Sequence, residues 1–363
     1  MNLFLDDISS LHLLRKVAID PSLALEPSDI CDTEALDVSP VKLHRLGVSN
    51  LLGYMRVPET NSLGLLVPHA KHRVRTRGIR CSVLKSLSGD VSFLQLVSTN
   101  SDKPSTLVPE STTVYVMPPE CIALAMARKL RHRVRKKNID TPTAVLMLVK
   151  LCLELCGTYT HDPFEPKMGA VTYQVAPQMT TDRLESFAKG LRGVRGGNLL
   201  KEAAGLCYDL SGSPQESFLG PALFFDTAYG GLSLASFKAN QPLDLSDAER
   251  ASIDERRITP DFYLEKYRSA VEYLGHIHEE GDNPQKDHVR SLDYQTLGIR
   301  EFALTYDDVR TQKAFLHSAA RIAAVIAQRD GPEVTTRLKR LQRDPEFMSR
   351  LEGLFKVFRP WLR

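Results

Sequence analysis

The sequence predicts a mixed α/β (α+β) chain, with a β-rich and helical amino-terminal region and a mixed helix–strand unit further on. Three observations carry that expectation. Four β-branched runs, "LGLLV", "IRCSVL", "VSFLQLV" and "TTVYVM", fall between Leu63 and Met117, with Gly, Ser, Asp and Asn turns between them. Two helical segments with start and stop signals follow. From Ser213 onward, helical and strand-like periods alternate. The boundaries this implies are 1–117 for a β-rich domain, 118–212 for a helical connecting region, 213–328 for the mixed unit and 329–363 for a basic helical tail.

Taken in order, residues 1–60 mix short apolar stretches with Pro, Asp and Ser and define no helix-turn-helix. "SDKPSTLVPEST" (101–112) reads as a polar loop. "PPECIALAMARKLRHRVRKK" starts with two prolines and turns helical, and Glu120 suits the positive end of that helix. "TPTAVLMLVKLCLELCG" offers Thr141 as N-cap, Pro142 at the first helical position and Gly157 past the end. Being apolar nearly all round, it is a buried helix. In the mixed unit, Ser213, Pro214 and Glu216 stand at N-cap, N1 and N3, a capping-box pattern. The strands "RITPDFYL" and "SAVEYLG" come next, then the helix "NPQKDHVRSLDYQTLG" closed by Gly298. After the strand "IREFALTY", Asp307 or Asp308 caps the amphipathic helix "VRTQKAFLHSAARIAAVIAQ".

The chain has 363 residues, 42% hydrophobic and 25% charged, the profile of an ordinary globular protein with two or three domains. No apolar run reaches transmembrane length, so no membrane partner is expected. "MNLFLDDISSLHLLRK" lacks the basic region and cleavage site of a secretory signal. The six cysteines include no C-x-x-C pair, and Cys152 and Cys156 read as two buried thiols on one helix face. Both points favour a reducing cytoplasm and disfavour structural zinc. The net charge of +3 conceals clustering: residues 71–80 carry five Lys or Arg and no acid, 128–137 carry seven and no acid, and 329–363 carry nine against five acids. Such clusters are the footprint of a polyanion binder, with DNA the expected partner and a protein partner as the alternative. Taken singly, charge runs on helices are also ordinary solvated faces.

The hairpin within residues 256–280 holds the sharpest local signal. If its turn is centred between Lys266 and Tyr267, Asp261 lies directly opposite Glu272, and opposed side chains share one face roughly 4.5–5.5 Å apart. Phe262, Leu264, Val271 and Tyr273 then form the other face, the core. Opposed carboxylates repel unless something positive lies between them, and Mg2+ or Mn2+ suits oxygen ligands. With another register, or at a hydrated edge, the pair needs no cation.

This layout resembles the PD-(D/E)xK nuclease superfamily, in particular small domains related to very-short-patch repair endonucleases. The residues that carry the resemblance are Glu216, "TPDFYL" with Asp261, "AVEYLGHIH" with Glu272, and "HVRSLDYQTLGIREFALTYDDV". Upstream, "VYVMPPECIALAMARKL" and "LCLELCGTYTHDPFEP" resemble regions related to the type IV abortive-infection antitoxin regulators. The resemblance implies a restriction-endonuclease-like mixed sheet flanked by helices, phosphodiester hydrolysis and a setting in phage defence. It implies that Asp261, Glu272 and the main-chain carbonyl of Tyr273 hold Mg2+ or Mn2+, with Glu216 reaching the same ion. Leu274 departs from the pattern, standing where the superfamily has lysine and the related small domains have aspartate. Leucine can neither orient a water nor take its proton. His276 and His278, on the same face if the strand continues, and Lys286 in the next helix are the candidates to replace it. The alternative is a catalytically inactive nuclease-fold protein that serves as a DNA-binding regulator or antitoxin-like module.

Overall fold

Strands β1 (Asn2–Phe4) and β2 (Leu23–Pro27) bracket helix α1 (Asp7–Ile19), and β3 (Leu63–Val67), β4 (Ile79–Val83), β5 (Leu94–Ser98) and β6 (Thr113–Val116) follow. The computed structural model describes residues 2–33, 62–75, 77–99, 112–167, 169–254, 257–275 and 284–358, with the backbone alone at 284–287. The four predicted strand runs all form strands, but they divide between two sheets. β5 and β6 join β1 and β2 in the order β1-β6-β5-β2, whereas β3 and β4 pair with each other in parallel. Helix α1 was not predicted. Its start depends on Asp6, which accepts the Ser9 N–H at 3.0 Å while Arg80 donates to the same side chain at 2.6 and 3.2 Å.

Helix α2 (Pro119–Arg135) buries Glu120 completely, and Arg183 donates to one of its carboxylate oxygens at 2.7 and 3.1 Å. Helix α3 (Thr141–Cys156) is apolar and buried as predicted, but its cap is Asp140, which accepts the Thr143 N–H at 2.8 Å. Thr141 is therefore the first helical residue rather than the N-cap. The strands β7 (Tyr159–His161) and β8 (Val171–Tyr173) and the helices α4 (Thr181–Gly190) and α5 (Gly197–Ala204) come next. By internal contacts the chain forms two units, 1–139 with 159–205, and 140–158 with 206–363. Residues 118–212 are thus shared: α2, α4 and α5 belong to the first unit and α3 to the second.

The second unit continues with α6 (Pro214–Phe224), β9 (Lys238–Ala239), α7 (Asp247–Ala251), β10 (Phe262–Leu264) and β11 (Ser269–Leu274). Helix α8 (Pro284–Thr296), β12 (Arg300–Thr305), α9 (Tyr306–Val309), α10 (Gln312–Asp330), α11 (Glu333–Leu341) and α12 (Pro345–Phe358) complete it. Its sheet runs β12-β11-β10-β9, antiparallel across β9, β10 and β11 and parallel between β11 and β12. A parallel pair needs a long crossover, which the segment containing α8 supplies. Helix α10 is capped by Thr311, which accepts the Ala314 N–H at 3.1 Å; Asp308 instead closes a capping box with Thr305 around α9. Among the described residues, no helix is long and apolar enough to cross a membrane.

The hairpin has the predicted register, with Phe262 opposite Val271, Tyr263 opposite Ala270 and Leu264 opposite Ser269. Phe262, Leu264 and Val271 are fully buried, and Phe262 meets Tyr208, Phe224 and Phe237 with ring centroids 5.5–5.9 Å apart. The other face departs from expectation. It is not left to solvent, because Tyr294 and Leu297 pack with Ala270, Ile258 and Ile299 against it. Tyr273, assigned to the core, is only half-buried.

Phe262→Ala should lower unfolding stability by about 3–5 kcal/mol, since an aromatic core is emptied with little room to collapse. Urea denaturation followed by circular dichroism measures this, and a loss near zero would show that the aromatic cluster does not hold the hairpin.

Candidate active site

Glu216 is placed by the entry to α6. The Ser213 hydroxyl oxygen accepts the Glu216 N–H at 3.1 Å, as the capping pattern requires. The carboxylate does not close the box on the Ser213 N–H. One of its oxygens accepts the Gly212 N–H at 2.7 Å and the side-chain amide of Asn240 at 2.9 Å. Gly212 permits that approach, because an added Cβ would meet the carboxylate at 2.9 Å. Burial raises the Glu216 pKa, and the bonds from Gly212, Asn240 and Ser213 oppose the rise.

Asn240 was not singled out from the sequence. It follows β9 in a left-handed conformation (φ 49°), which asparagine tolerates better than most residues. Its N–H points between the carbonyls of Pro260 and Asp261, at 3.1 Å from each. One residue therefore links the Glu216 carboxylate to the main chain at Asp261.

Asp261 precedes β10, so the observed register carries it opposite Glu272. The two acids bond across the strands: Asp261 accepts the Tyr273 N–H at 2.8 Å, and Glu272 accepts the Asp261 N–H. The Tyr273 N–H thus serves Asp261. Glu272 is 3% exposed. It also accepts the Tyr294 hydroxyl, and Arg290 stands 3.8 Å from its other oxygen. Burial pushes Glu272 up to about 7 against the bonds and charge that favour its ionised form. Asp261 is held well above the usual carboxylate range, first by burial and then by the charges of Glu216 and Glu272. Tyr294 is raised by its own burial and by the neighbouring Glu272.

Glu216 and Glu272 both act on Asp261 through their charges. Yet among the described residues no group of three or more His, Cys, Asp or Glu is gathered to hold a metal ion. Glu216 is committed to Gly212 and Asn240. The donors that could hold a cation are Asp261 and Glu272, and their chemistry fits magnesium, which is commonly bound by one or two carboxylates and keeps water and phosphate as its other ligands. Leu274 ends β11 beside Thr305, half-buried, and shares the face of Glu272 by the two-residue strand period. His276 and His278 lie outside the described residues, as do Trp361 and residues 101–111; Lys286 lies in α8, its side chain likewise outside them.

The basic clusters are partly absorbed by structure. Arg80 holds Asp6, Lys129 bonds Asp7, and Arg128 donates to Ser88 at 2.9 Å and to the Arg195 carbonyl at 3.3 Å. Arg131, Arg133, Arg135, Lys136 and Lys137 are exposed at the carboxy-terminal end of α2, where positive charge also suits the helix dipole.

No family model, curated protein or solved structure matches this chain.

The buried acids set a pH dependence. Glu272 rises from an ordinary value of 4.5 to about 7, so the folded chain keeps a proton that the unfolded chain has released. Its contribution to stability is complete below 4.5 and is lost as pH rises through 7. Thermal unfolding should give a lower midpoint near pH 8 than near pH 5, and Glu272→Gln should flatten the difference. A wild-type protein and variant with identical pH profiles would contradict this assignment.

Proposed function

We propose that residues 213–328 form a PD-(D/E)xK nuclease domain that hydrolyses nucleic-acid phosphodiesters with Mg2+ or Mn2+. The observation that carries the reading is the hairpin register, which sets Asp261 and Glu272 across from each other in a buried sheet. The element order supports it: a helix, three antiparallel strands with the short α7 between the first two, a helix and a fourth strand parallel to the third agree with the arrangement expected of a restriction-endonuclease-like core. Burying like charges side by side is unfavourable, and a divalent cation reverses the sign of that interaction.

On this reading Asp261 and Glu272 hold the cation, and Asn240 with Gly212 keeps Glu216 beside them. Tyr294 and Arg290 orient Glu272 through its two oxygens. When bound, the cation activates a water and stabilises charge on the scissile phosphate. Leu274 takes no part in proton transfer, so His276, His278 or Lys286 supplies the base. The exposed basic residues at the carboxy-terminal end of α2 attract DNA, and the upstream resemblance suggests a role in phage defence. A cytoplasmic setting agrees with six cysteines that are all unbridged.

A second reading, a nuclease fold kept as a DNA-binding regulator, is favoured by Leu274 and by the way Tyr294 and Arg290 already occupy Glu272. One experiment separates the two. The purified protein and Glu272→Ala are incubated with supercoiled, linear and single-stranded DNA and with RNA, plus Mg2+ or Mn2+. Wild type should cleave at least one substrate, with the variant slower by about a hundredfold or more. In parallel, Mg2+ should raise the wild-type thermal midpoint near pH 8 and leave that of Glu272→Gln unchanged. Wild type and Glu272→Ala equally inert, with DNA binding intact, would establish the second reading.

A further inference from the structure

We infer that the cleft at the hairpin tip, lined by Tyr267, Arg268, Arg300, Gln328 and Arg329, binds the phosphate backbone of nucleic acid. The cleft measures about 370 Å³ and is completed by Gly298 and Val325. Three separate elements each contribute an arginine to its lining: the hairpin turn, the start of β12 and the last turn of α10. Arg268 sits in the turn with φ 44°, a left-handed backbone that Gly or Asn would adopt more readily. Its side chain is fixed by a 2.6 Å bond to the Leu297 carbonyl, while its own carbonyl accepts the Arg300 N–H at 2.9 Å. Arg329 is tied to the Lys266 carbonyl. Arg300 is exposed and has no carboxylate partner among the described residues.

The carboxylates that touch this set are already engaged. Asp330 holds Lys266 at 2.7 Å and the Tyr267 hydroxyl at 2.6 Å. Glu249 closes its own capping box with Ser246 and stands 3.7 Å from Arg268. With Arg268 and Arg329 anchored on main-chain carbonyls, the exposed Arg300 presents a guanidinium whose forked donors match phosphate oxygens.

Its place on the sheet argues for a polymer rather than a free phosphate. Arg268 precedes β11 by one residue and Glu272 lies within that strand, so the two are about 13 Å apart along it at roughly 3.3 Å per residue. One strand of duplex DNA carries a phosphate about every 3.4 Å of axis, so about four nucleotides span that distance. This placement rests on the nuclease reading; the phosphate site itself does not.

The test is fluorescence anisotropy of the full chain with a labelled 20-base-pair DNA duplex in EDTA, so that binding is read without cleavage. Arg300→Glu and Arg329→Glu should each weaken binding about tenfold or more and lower the slope of log affinity against log salt by about one. Arg300→Gln should weaken it less, and Lys189→Glu, a charge-matched control in the first unit, should bind as wild type. Thermal midpoints equal to wild type confirm that each variant is folded. Folded Arg300→Glu and Arg329→Glu that bind like wild type would overturn the inference, as would a wild-type protein that binds no DNA. If Glu272→Ala binds normally but never differs from wild type in cleavage, the cleft stands and the nuclease reading falls.

Discussion

The pairing of Phe262 with Val271 is the constraint on which the rest of the second unit depends. Side chains in a strand alternate between faces, so burying these two fixes which face receives Asp261 and Glu272. A slip of one residue would drive both acids into the aromatic cluster of Tyr208, Phe224 and Phe237 and expose the core. The cost of that error keeps the register in place, and the register keeps the acids together.

The acids do not sit at a wet edge. Tyr294 and its apolar neighbours cover their face, and each acid answers burial with hydrogen bonds rather than with solvent. The Asp261 carboxylate accepts the Tyr273 N–H, the Glu272 carboxylate accepts the Asp261 N–H, Asn240 holds Glu216, and Arg290 partly balances Glu272. These partners offset burial without cancelling it, since all three carboxyl groups remain above their ordinary range, and Asp261 is raised further by the charges of Glu216 and Glu272. An arrangement in that condition holds its protons to a higher pH than exposed carboxyl groups do.

Positive charge divides along similar lines. Some residues in the sequence clusters are spent on folding, Arg80 on Asp6 and Lys129 on Asp7 among them. The cleft at the hairpin tip draws instead on Arg268 and Arg300, which no charge run in the sequence announces. Arginines far apart in sequence converge there because a turn, a strand and a helix end at the same edge of one sheet.

Local chemistry explains what could be read from the sequence alone. The strands between Leu63 and Val116, the cap at Ser213, the stop at Gly298 and the hairpin register all follow from periodicity and turn residues a few positions apart. Helix α1 was missed although its start carries a local signal, Asp6, an N-cap residue that accepts the Ser9 N–H three positions on. The cap at Asp140 lies one residue from the position predicted and the cap at Thr311 three or four, an error typical of helix ends where several capping residues stand together. The burial of the acid-bearing face, the role of Asn240, the hold of Tyr294 on Glu272 and the arginine cleft required tertiary structure. Each depends on packing between segments separated by many residues, and no local pattern encodes which distant element will cover a given face.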